Sequence, residues 1–548
     1  MSIARPPSII HGPPLDEEVG IGDLTLGGWL RAATTLGGDR EALVLHEDGK
    51  TIRWSHAELW SQANTVARAL IACGVGKGTR VGVLMTNRPE FLAAVFGTAL
   101  AGGVATTFST FSTQAELDYL LQASCVSVLL VERKVLKKDF VEMLVALEPR
   151  NYPFLNHVAT IGEPLDMVET WDDFIARGAG VAQKQVDARA AAVSPADAAV
   201  LFFSSGSTAK PKGVLSSHRA VSLQLWRWRR FNQSHADARA WSANGFFWSG
   251  NFCMALGGAL TPGGSLVLQK TFDPEAALAL MEAEKVTMVY AWPHQYAQLE
   301  AAPNWLSVDL STLHYVNTVY AFGKHPTVKT DWEEPWHAYG NTETFTINSI
   351  FDSGTPKERI NNSHGEPNAG NIFKIVDPLT GAIVPMGERG EIAVKGPTLM
   401  MGYLGMPLAD SLDDQGFFRT GDGGYVDDAN RLYWEGRLND IIKTGGANVS
   451  PVEVDGILKN CPGVKVAQTV GVPHDTLGEL VVACVVLHNG ATLDETGLQA
   501  FAKEQLASFK VPRRVLFFND DEIELTGTAK IKTADLRVLA AKRLESSR

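Results

Sequence analysis

Between residues 65 and 135 the chain alternates apolar runs with turn signals, and this alternation constrains the fold more than any other stretch. Arg80–Met85 (RVGVLM) reads as a buried strand. Asn87-Arg88-Pro89-Glu90 then opens an apolar helix running to Ala101, with the proline in the first turn, where its missing N–H costs nothing. A second strand is expected at Val126–Val131. Strand, helix and strand in this order predict parallel sheets covered by helices. Val200–Phe203, Ser265–Leu268 and Val286–Tyr290 continue the pattern, and Glu391–Val394 reads as an antiparallel strand in a later, more β-rich section.

A chain of 548 residues exceeds one ordinary core. The best boundary lies near Gly436–Asp440, and about 110 residues with a fresh βαβ-like pattern follow it, enough for a small domain. The expected fold class is α/β. A large N-terminal domain spans residues 1–437, with parallel-type sheets covered by helices plus a β-rich subdomain. A small α+β C-terminal domain spans residues 438–548.

The net charge of −12 argues against nucleic acid as a partner, because binding its phosphates needs clustered Lys and Arg. An anionic ligand has to find a local positive site. Cys73, Cys125, Cys253, Cys461 and Cys484 are odd in number and form no CxxC pair, so buried thiols in a reducing cytosol are expected. The N-terminal stretch lacks the apolar core of a signal peptide, and the C-terminal Glu545-Ser-Ser-Arg548 is no peroxisomal address. The longest apolar stretch, Leu92–Ala105, is shorter than the roughly 20 residues that span a bilayer. These features predict a cytoplasmic protein without a membrane span.

Phe202–Phe203 ends a strand, and Ser204–Gly213 (SSGSTAKPKG) follows. Small residues let the backbone turn tightly and bring N–H groups together on an anion. Ser204, Ser205, Ser207 and Thr208 add hydroxyls, Gly206 adds freedom, Lys212 adds a cation and Pro211 stiffens the loop. The chemistry suits a polyphosphate, although no GxxxxGK[ST] pattern is present. Read alone, the segment is equally a solvated Ser/Gly loop.

Four further segments change that balance: Tyr339-Gly-Asn-Thr-Glu343, Thr420-Gly-Asp422, Gly436-Arg437-Leu438-Asn439-Asp440 leading into Ile441–Gly446, and Thr526-Gly-Thr-Ala-Lys530-Ile531. In this order and spacing the chain resembles the adenylate-forming superfamily of acyl-CoA synthetases, amino-acid adenylation domains and luciferases. Asn87–Glu90, Gly387–Tyr403 and Pro451–Leu487 match its less specific stretches, so the resemblance covers essentially the whole chain.

The resemblance implies a ligase. ATP and a carboxylic acid give an acyl-adenylate and pyrophosphate. Coenzyme A then displaces AMP and forms a thioester. It also implies a mobile C-terminal domain that turns about a hinge, here Asn439. By similarity Ser204–Lys212 holds the β- and γ-phosphates, Thr342 the α-phosphate, Glu343 a Mg²⁺ ion, and Asp422 and Arg437 the ribose. Tyr339 flanks the adenine. Lys530 bridges carboxylate and α-phosphate during adenylation. Lys443 and Asn448 face the acyl phosphate in the thioester step, and Gly445 and Gly446 let the pantetheine arm pass. Each residue also has a plain alternative: Tyr339 as core, Asp422 as a turn cap, Lys530 as a surface lysine. Trp226-Arg-Trp-Arg-Arg230 reads either as a contact for coenzyme A phosphates or as an amphipathic helix with a solvated face. The family holds both monomers and homodimers.

The chain departs from the family pattern in places. Ala209 and Ala529 replace glycines that precede the loop's lysine-proline pair and the C-terminal lysine, and Glu524 stands for a proline. Trp248 occupies a usual histidine position, and Val319–Gly323 replaces a Gly-Gly-Ala segment. An acyl pocket is therefore expected at Trp248, Gly250, Ala321, Phe322 and Gly323, without the acidic group in Asn244–Phe252 that an amino acid would need. Its aromatic lining suits a hydrophobic acid. The alternatives to a full ligase are an enzyme that forms thioesters from a preformed acyl-adenylate, and a non-catalytic relative that binds nucleotide or acyl-adenylate.

Overall fold

The computed structural model describes residues 5–204, 211–318, 320–335, 338–438, 440–444, 447–474, 477–506, 510–519, 522 and 533–546, apart from the side chains of residues 293, 294, 447 and 448. It divides into two compact units. The larger holds residues 12–371 and 395–416. The smaller gathers residues 1–11, 372–394 and 417–548.

The larger unit carries the predicted α/β pattern. Among the described residues its largest sheet has nine strands. Arg80–Leu84 lies at its centre, parallel to Val104–Thr107 on one side and Val128–Glu132 on the other. Ala198–Ser204 runs parallel to Val104–Thr107, and Lys212–Ser217 returns antiparallel to it. A five-stranded sheet follows the order Met288–Tyr290, Arg239–Ser242, Ser265–Leu268, Glu41–Glu47, Lys50–Ser55. The expected strands at Arg80–Met85, Val126–Val131, Ser265–Leu268 and Val286–Tyr290 are thus present within one or two residues.

Side chains alternate across each strand, and the alternation divides the core. Val81 and Val83 enter the largest buried cluster, whereas Leu84 joins a separate cluster with Leu129 and Val131. The largest cluster also takes Leu43, Leu45 and Leu266 from the five-stranded sheet. The helix Pro89–Leu100 is buried on nearly every side within it. A helix apolar all round belongs in an interior, which explains the long apolar stretch without a membrane. No described helix is long and apolar enough to cross one.

Charges join the two sheets at the carboxyl ends of their strands. Arg88 Nη1 lies 3.0 Å from Glu132 Oε1, and Lys270 Nζ lies 2.6 Å from Glu132 and 2.5 Å from Glu47. Burial opposes ionisation of Glu132, but the two cations hold its carboxyl below the usual range.

The smaller unit is β-rich. Ile9–His11, Ile372–Val376, Gly390–Lys395, Phe418–Val426 and Leu432–Arg437 form one sheet, and the strand expected at Glu391–Val394 pairs antiparallel as predicted. A second sheet is built on Val464–His474 and Gly478–Leu487. Val481, Ala483 and Val485 pack on one face, and Val482, Cys484 and Val486 on the other. Helices Pro451–Lys459 and Glu495–Lys503 supply the first cluster, and helix Thr533–Ser546 the second.

All five cysteines are free; Cys253, Cys461 and Cys484 are buried as expected, whereas Cys73 is half-buried and Cys125, at a helix end, is exposed. For Trp226–Arg230 the amphipathic helix with a solvated face is present, its exposed side carrying Arg229 and Arg230. The segment sits in helix His218–Asn232, and Arg227 is 1% exposed rather than solvated. Arg227 Nη2 donates to Glu18 Oε2 at 2.8 Å and to the Ala369 carbonyl at 2.7 Å, so its charge is spent inside the unit. Coenzyme A phosphates cannot reach it.

Candidate active site

Lys212 and Glu343, both in the larger unit, meet through one tyrosine. Ala198–Ser204 and Lys212–Ser217 pair so that Ser204 faces Lys212, and Ser204 Oγ donates to the Lys212 carbonyl at 3.4 Å. Ser205, Gly206, Ser207, Thr208 and Ala209 lie outside the described residues. The loop's far end is fixed by Tyr119, whose hydroxyl donates to the Pro211 carbonyl at 3.0 Å. Gly402–Tyr403 adds to Lys212–Ser217 with Val214 opposite Tyr403. Lys212 is then a diagonal neighbour of Tyr403 on one face, within reach of a long side chain. Its Nζ sits 5.0 Å above the Tyr403 ring. The Tyr403 hydroxyl donates to Glu343 Oε1 at 2.8 Å.

The Glu343 backbone is held as firmly. Thr342–Thr344 forms a single 3₁₀ turn, and Asn341 Oδ1 accepts from the Thr344 N–H at 3.0 Å. The Glu343 carbonyl accepts from Met400 N–H at 2.7 Å. Phe345 and Thr346 then take consecutive positive φ values of 45° and 78°. A β-branched residue rarely adopts that region, and such strain collects at functional sites. Gln224 Nε2 pins the bend by donating to the Phe345 and Ile347 carbonyls at 3.0 and 2.6 Å. Gly340 is required beside it, since a Cβ there would lie 1.6 Å from the Thr346 carbonyl oxygen. Tyr339 is 4% exposed, which leaves little ring surface for a purine and agrees with its core alternative.

In the smaller unit, Asp422 and Arg437 are opposite one another on neighbouring strands. Arg437 Nε lies 3.1 Å from Asp422 Oδ1, and its Nη1 donates to the Thr420 carbonyl at 2.8 Å. Asp422 is buried and Arg437 exposed. Lys443 is exposed on Ile442–Thr444 and stands opposite Asn448 in the ladder. Its N–H donates to Glu479 Oε2 at 2.8 Å. Asn439, Gly445, Gly446, Ala529 and Lys530 lie outside the described residues.

The proposed acyl segments fall within the larger unit. Trp248 precedes helix Ser249–Leu260, half-buried, with its ring centroid 5.0 Å from that of Phe247. A Cβ on Gly250 would meet open space. Asn87 fixes this loop from below: its Nδ2 donates to the Asn244 carbonyl at 2.7 Å, and its Oδ1 accepts from the Phe246 N–H at 2.8 Å. Ala321 is half-buried. Gly323 lets the chain pass over Asn317, where a Cβ would be 2.4 Å from a carbonyl oxygen. Phe322 corrects the expectation. Its ring is fully enclosed against Trp305 and Tyr296, 5.0 and 5.6 Å away, so it fills core and offers a ligand no surface.

Sequence reasoning passed over Tyr403 as a residue with a role, although the Gly387–Tyr403 stretch had drawn notice. It also passed over Asn341 as a cap. Its signal was the Asx position at the start of a turn, three residues before the N–H it accepts from.

Residues 30–404 match the family model for AMP-binding enzymes, and residues 453–530 match that for the AMP-binding enzyme C-terminal domain. An octahydroindenyl-propanoyl:CoA ligase of Mycobacterium tuberculosis is 32% identical, covering 91% of this chain and 96% of its own. A feruloyl-CoA synthase of Amycolatopsis is 31% identical, covering 88% and 93%. An anthranilate CoA ligase solved with anthranoyl-AMP shares the fold, with a TM-score of 0.79 over 97% of this chain and 99% of its own at 24% identity. The two family models together cover most of the chain and the relatives match it over nearly its whole length, so the chain belongs to the AMP-binding enzyme family as an ATP-dependent acid–thiol ligase of the acyl-CoA synthetase type.

Proposed function

We propose that this ligase activates a bulky, hydrophobic, ring-bearing carboxylic acid and passes it to coenzyme A. The two relatives above are named for a feruloyl and an octahydroindenyl-propanoyl group, both ring-bearing, and the half-buried Trp248 ring, packed against Phe247, suits such acids. The observation that carries the adenylation half is the Lys212–Tyr403–Glu343 arrangement.

Adenylation gathers negative charge on the α-phosphate and on the leaving pyrophosphate. Lys212 neutralises the outer phosphates, and Thr342 donates toward the α-phosphate. Glu343 fits a magnesium site. It is a hard oxygen ligand held rigidly beside the phosphate loop, and Mg²⁺ commonly takes one or two carboxylates plus substrate phosphates. The ion would offset phosphate charge. Substrate phosphate oxygens and water would complete its shell. Asp422 accepts from the ribose hydroxyls while Arg437 holds its carboxylate in place. Lys530 serves adenylation and Lys443 thioester formation. The family's two-domain division at residues 437 and 438, with Asn439 as pivot, organises the two steps, and the enzyme acts in the cytoplasm.

The test is a pair of assays on a panel of ring-bearing acids: pyrophosphate release from ATP, and thioester formation. Acid-dependent release that EDTA abolishes and Mg²⁺ restores is the expected result. Thioester formation from prepared acyl-adenylates without any release from ATP would overturn the adenylation half.

A further inference from the structure

Three tyrosines and one glutamate converge in the larger unit, in a place where the sequence predicts only an apolar pocket. Tyr290 ends the edge strand of the five-stranded sheet, Tyr296 lies on helix Pro293–Glu300, Tyr320 directly precedes Ala321, and Glu334 lies five residues before Tyr339. The Tyr296 and Tyr320 rings stack at 5.0 Å with 9° between their planes. The Glu334 carboxyl is close enough to act electrostatically on all three phenols, and Asn317 lies beside it. Each of the four side chains keeps some accessible surface although each is deep in the unit. Accessible surface at that depth belongs to the wall of a crevice.

Helix Ser249–Leu260 leads to the same crevice. Gly250, Met254 and Gly258 recur at i, i+4 and i+8, one face of a helix. At the Gly250 end a side chain would meet open space, and at the Gly258 end it would meet the Tyr290 hydroxyl at 2.3 Å. This face therefore runs from the open end beside Trp248 to the Tyr290 hydroxyl.

The polar groups at this end are unevenly satisfied. The Tyr290 hydroxyl accepts from Asn232 Nδ2 at 2.6 Å, and that of Tyr296 donates to the Val289 carbonyl at 3.3 Å. The Tyr320 hydroxyl makes no hydrogen bond to a described residue, and among the described residues no Lys, Arg or His pairs with Glu334. A carboxyl deep in a protein without a cation is costly unless a ligand supplies a donor. Burial pushes the Glu334 carboxyl up to about 7, so it is neutral or charged within the physiological range.

We propose that Glu334 is a specificity-determining residue that selects acids carrying a hydroxyl or amino donor on the ring, with Tyr296 and Tyr320 as the flat wall and the Tyr320 hydroxyl as a second polar contact. This inference rests on the ligase reading of the same site. It changes the expected substrate from a purely apolar acid to an apolar ring with one donor.

The probes are cinnamic acid and its para-hydroxy, para-amino and para-methoxy derivatives. The methoxy compound matches the hydroxy one in position but cannot donate. Binding is measured by calorimetry, and turnover by thioester formation, for wild type, Glu334→Leu and Glu334→Gln. Wild type should favour the two donors over cinnamic and methoxycinnamic acid by about tenfold or more, the size of a hydrogen bond to a charged group. Glu334→Leu should lose that preference and keep its affinity for cinnamic acid. Should Glu334→Leu fail to fold, Glu334→Gln decides. The wild-type preference rises between pH 6 and pH 8 as the carboxyl ionises, and the glutamine variant stays flat. Equal preference in wild type and variants, or a preference for cinnamic acid itself, overturns the inference. Absence of thioester formation with donor-selective binding intact would overturn the ligase reading and leave Glu334 in its role.

Discussion

The Tyr403 hydroxyl donates to Glu343 while its ring underlies Lys212, so one side chain sets the distance between a cation and a carboxylate. Tyr403→Phe keeps the ring and removes the hydroxyl. A hydrogen bond to a charged group is worth about 1.5–3 kcal/mol, so kcat/KM for pyrophosphate release should fall roughly 10- to 100-fold with little change in Tm. Activity equal to wild type would show that Glu343 is positioned without it. Asp455 makes a different residue-scale case. Its carboxyl accepts from Thr469 N–H at 2.6 Å, yet burial pushes it up to about 7 from the ordinary 3.8. The native state therefore favours the protonated form. That contribution to stability is complete below about pH 4 and is lost as pH rises through 7. Asp455→Asn should raise Tm at pH 8 and leave it level or lower at pH 4; a gain equal at both pH values would rule out ionisation as the cause.

At the scale of elements, the chain after Glu343 shows what a sequence conceals. The strands were legible because apolar runs of four to seven residues between turn signals have few other uses, as at Arg80–Leu84 and Ser265–Leu268. The left-handed pair Phe345 and Thr346 was not legible, because neither residue prefers that region and only tertiary support holds them there. Arg227 misled for a related reason. A run of Trp and Arg fixes a helical face but not what covers it, and Glu18, which covers it, lies 209 residues away. Two expected outcomes follow from these contacts. Gly340→Ala drives a methyl group into the Thr346 carbonyl, so it should abolish pyrophosphate release and lower Tm. Glu18→Gln strands the buried Arg227 charge, and a broken buried pair costs on the order of 3–5 kcal/mol, read as a lowered urea midpoint. A midpoint within error of wild type would mean that Arg227 finds another acceptor.

For the whole molecule, the family was legible because five motifs occur in one order, while the acyl pocket was legible only in part. The proposed wall draws on segments between residues 232 and 334 that have no shared motif, so Glu334 escaped notice, while Phe322, expected in the pocket, lies in the core. The two half-reactions also make separate demands on the chain, and two lysines allow them to be separated. Lys443 is exposed on a short hairpin of the smaller unit, and Lys530 belongs to a motif some 90 residues on, outside the described residues. If each lysine serves one step, Lys530→Ala should release little pyrophosphate from ATP but still convert prepared acyl-adenylate and coenzyme A to thioester. Lys443→Ala should do the reverse, with pyrophosphate release nearly intact and thioester formation from acyl-adenylate reduced about 10-fold or more. Loss of both steps in both variants would mean that the lysines act in one shared arrangement. Loss of neither step in Lys530→Ala would place adenylation on Lys212 and Thr342 alone, because positioning and charge neutralisation by those two groups would then suffice for the transfer.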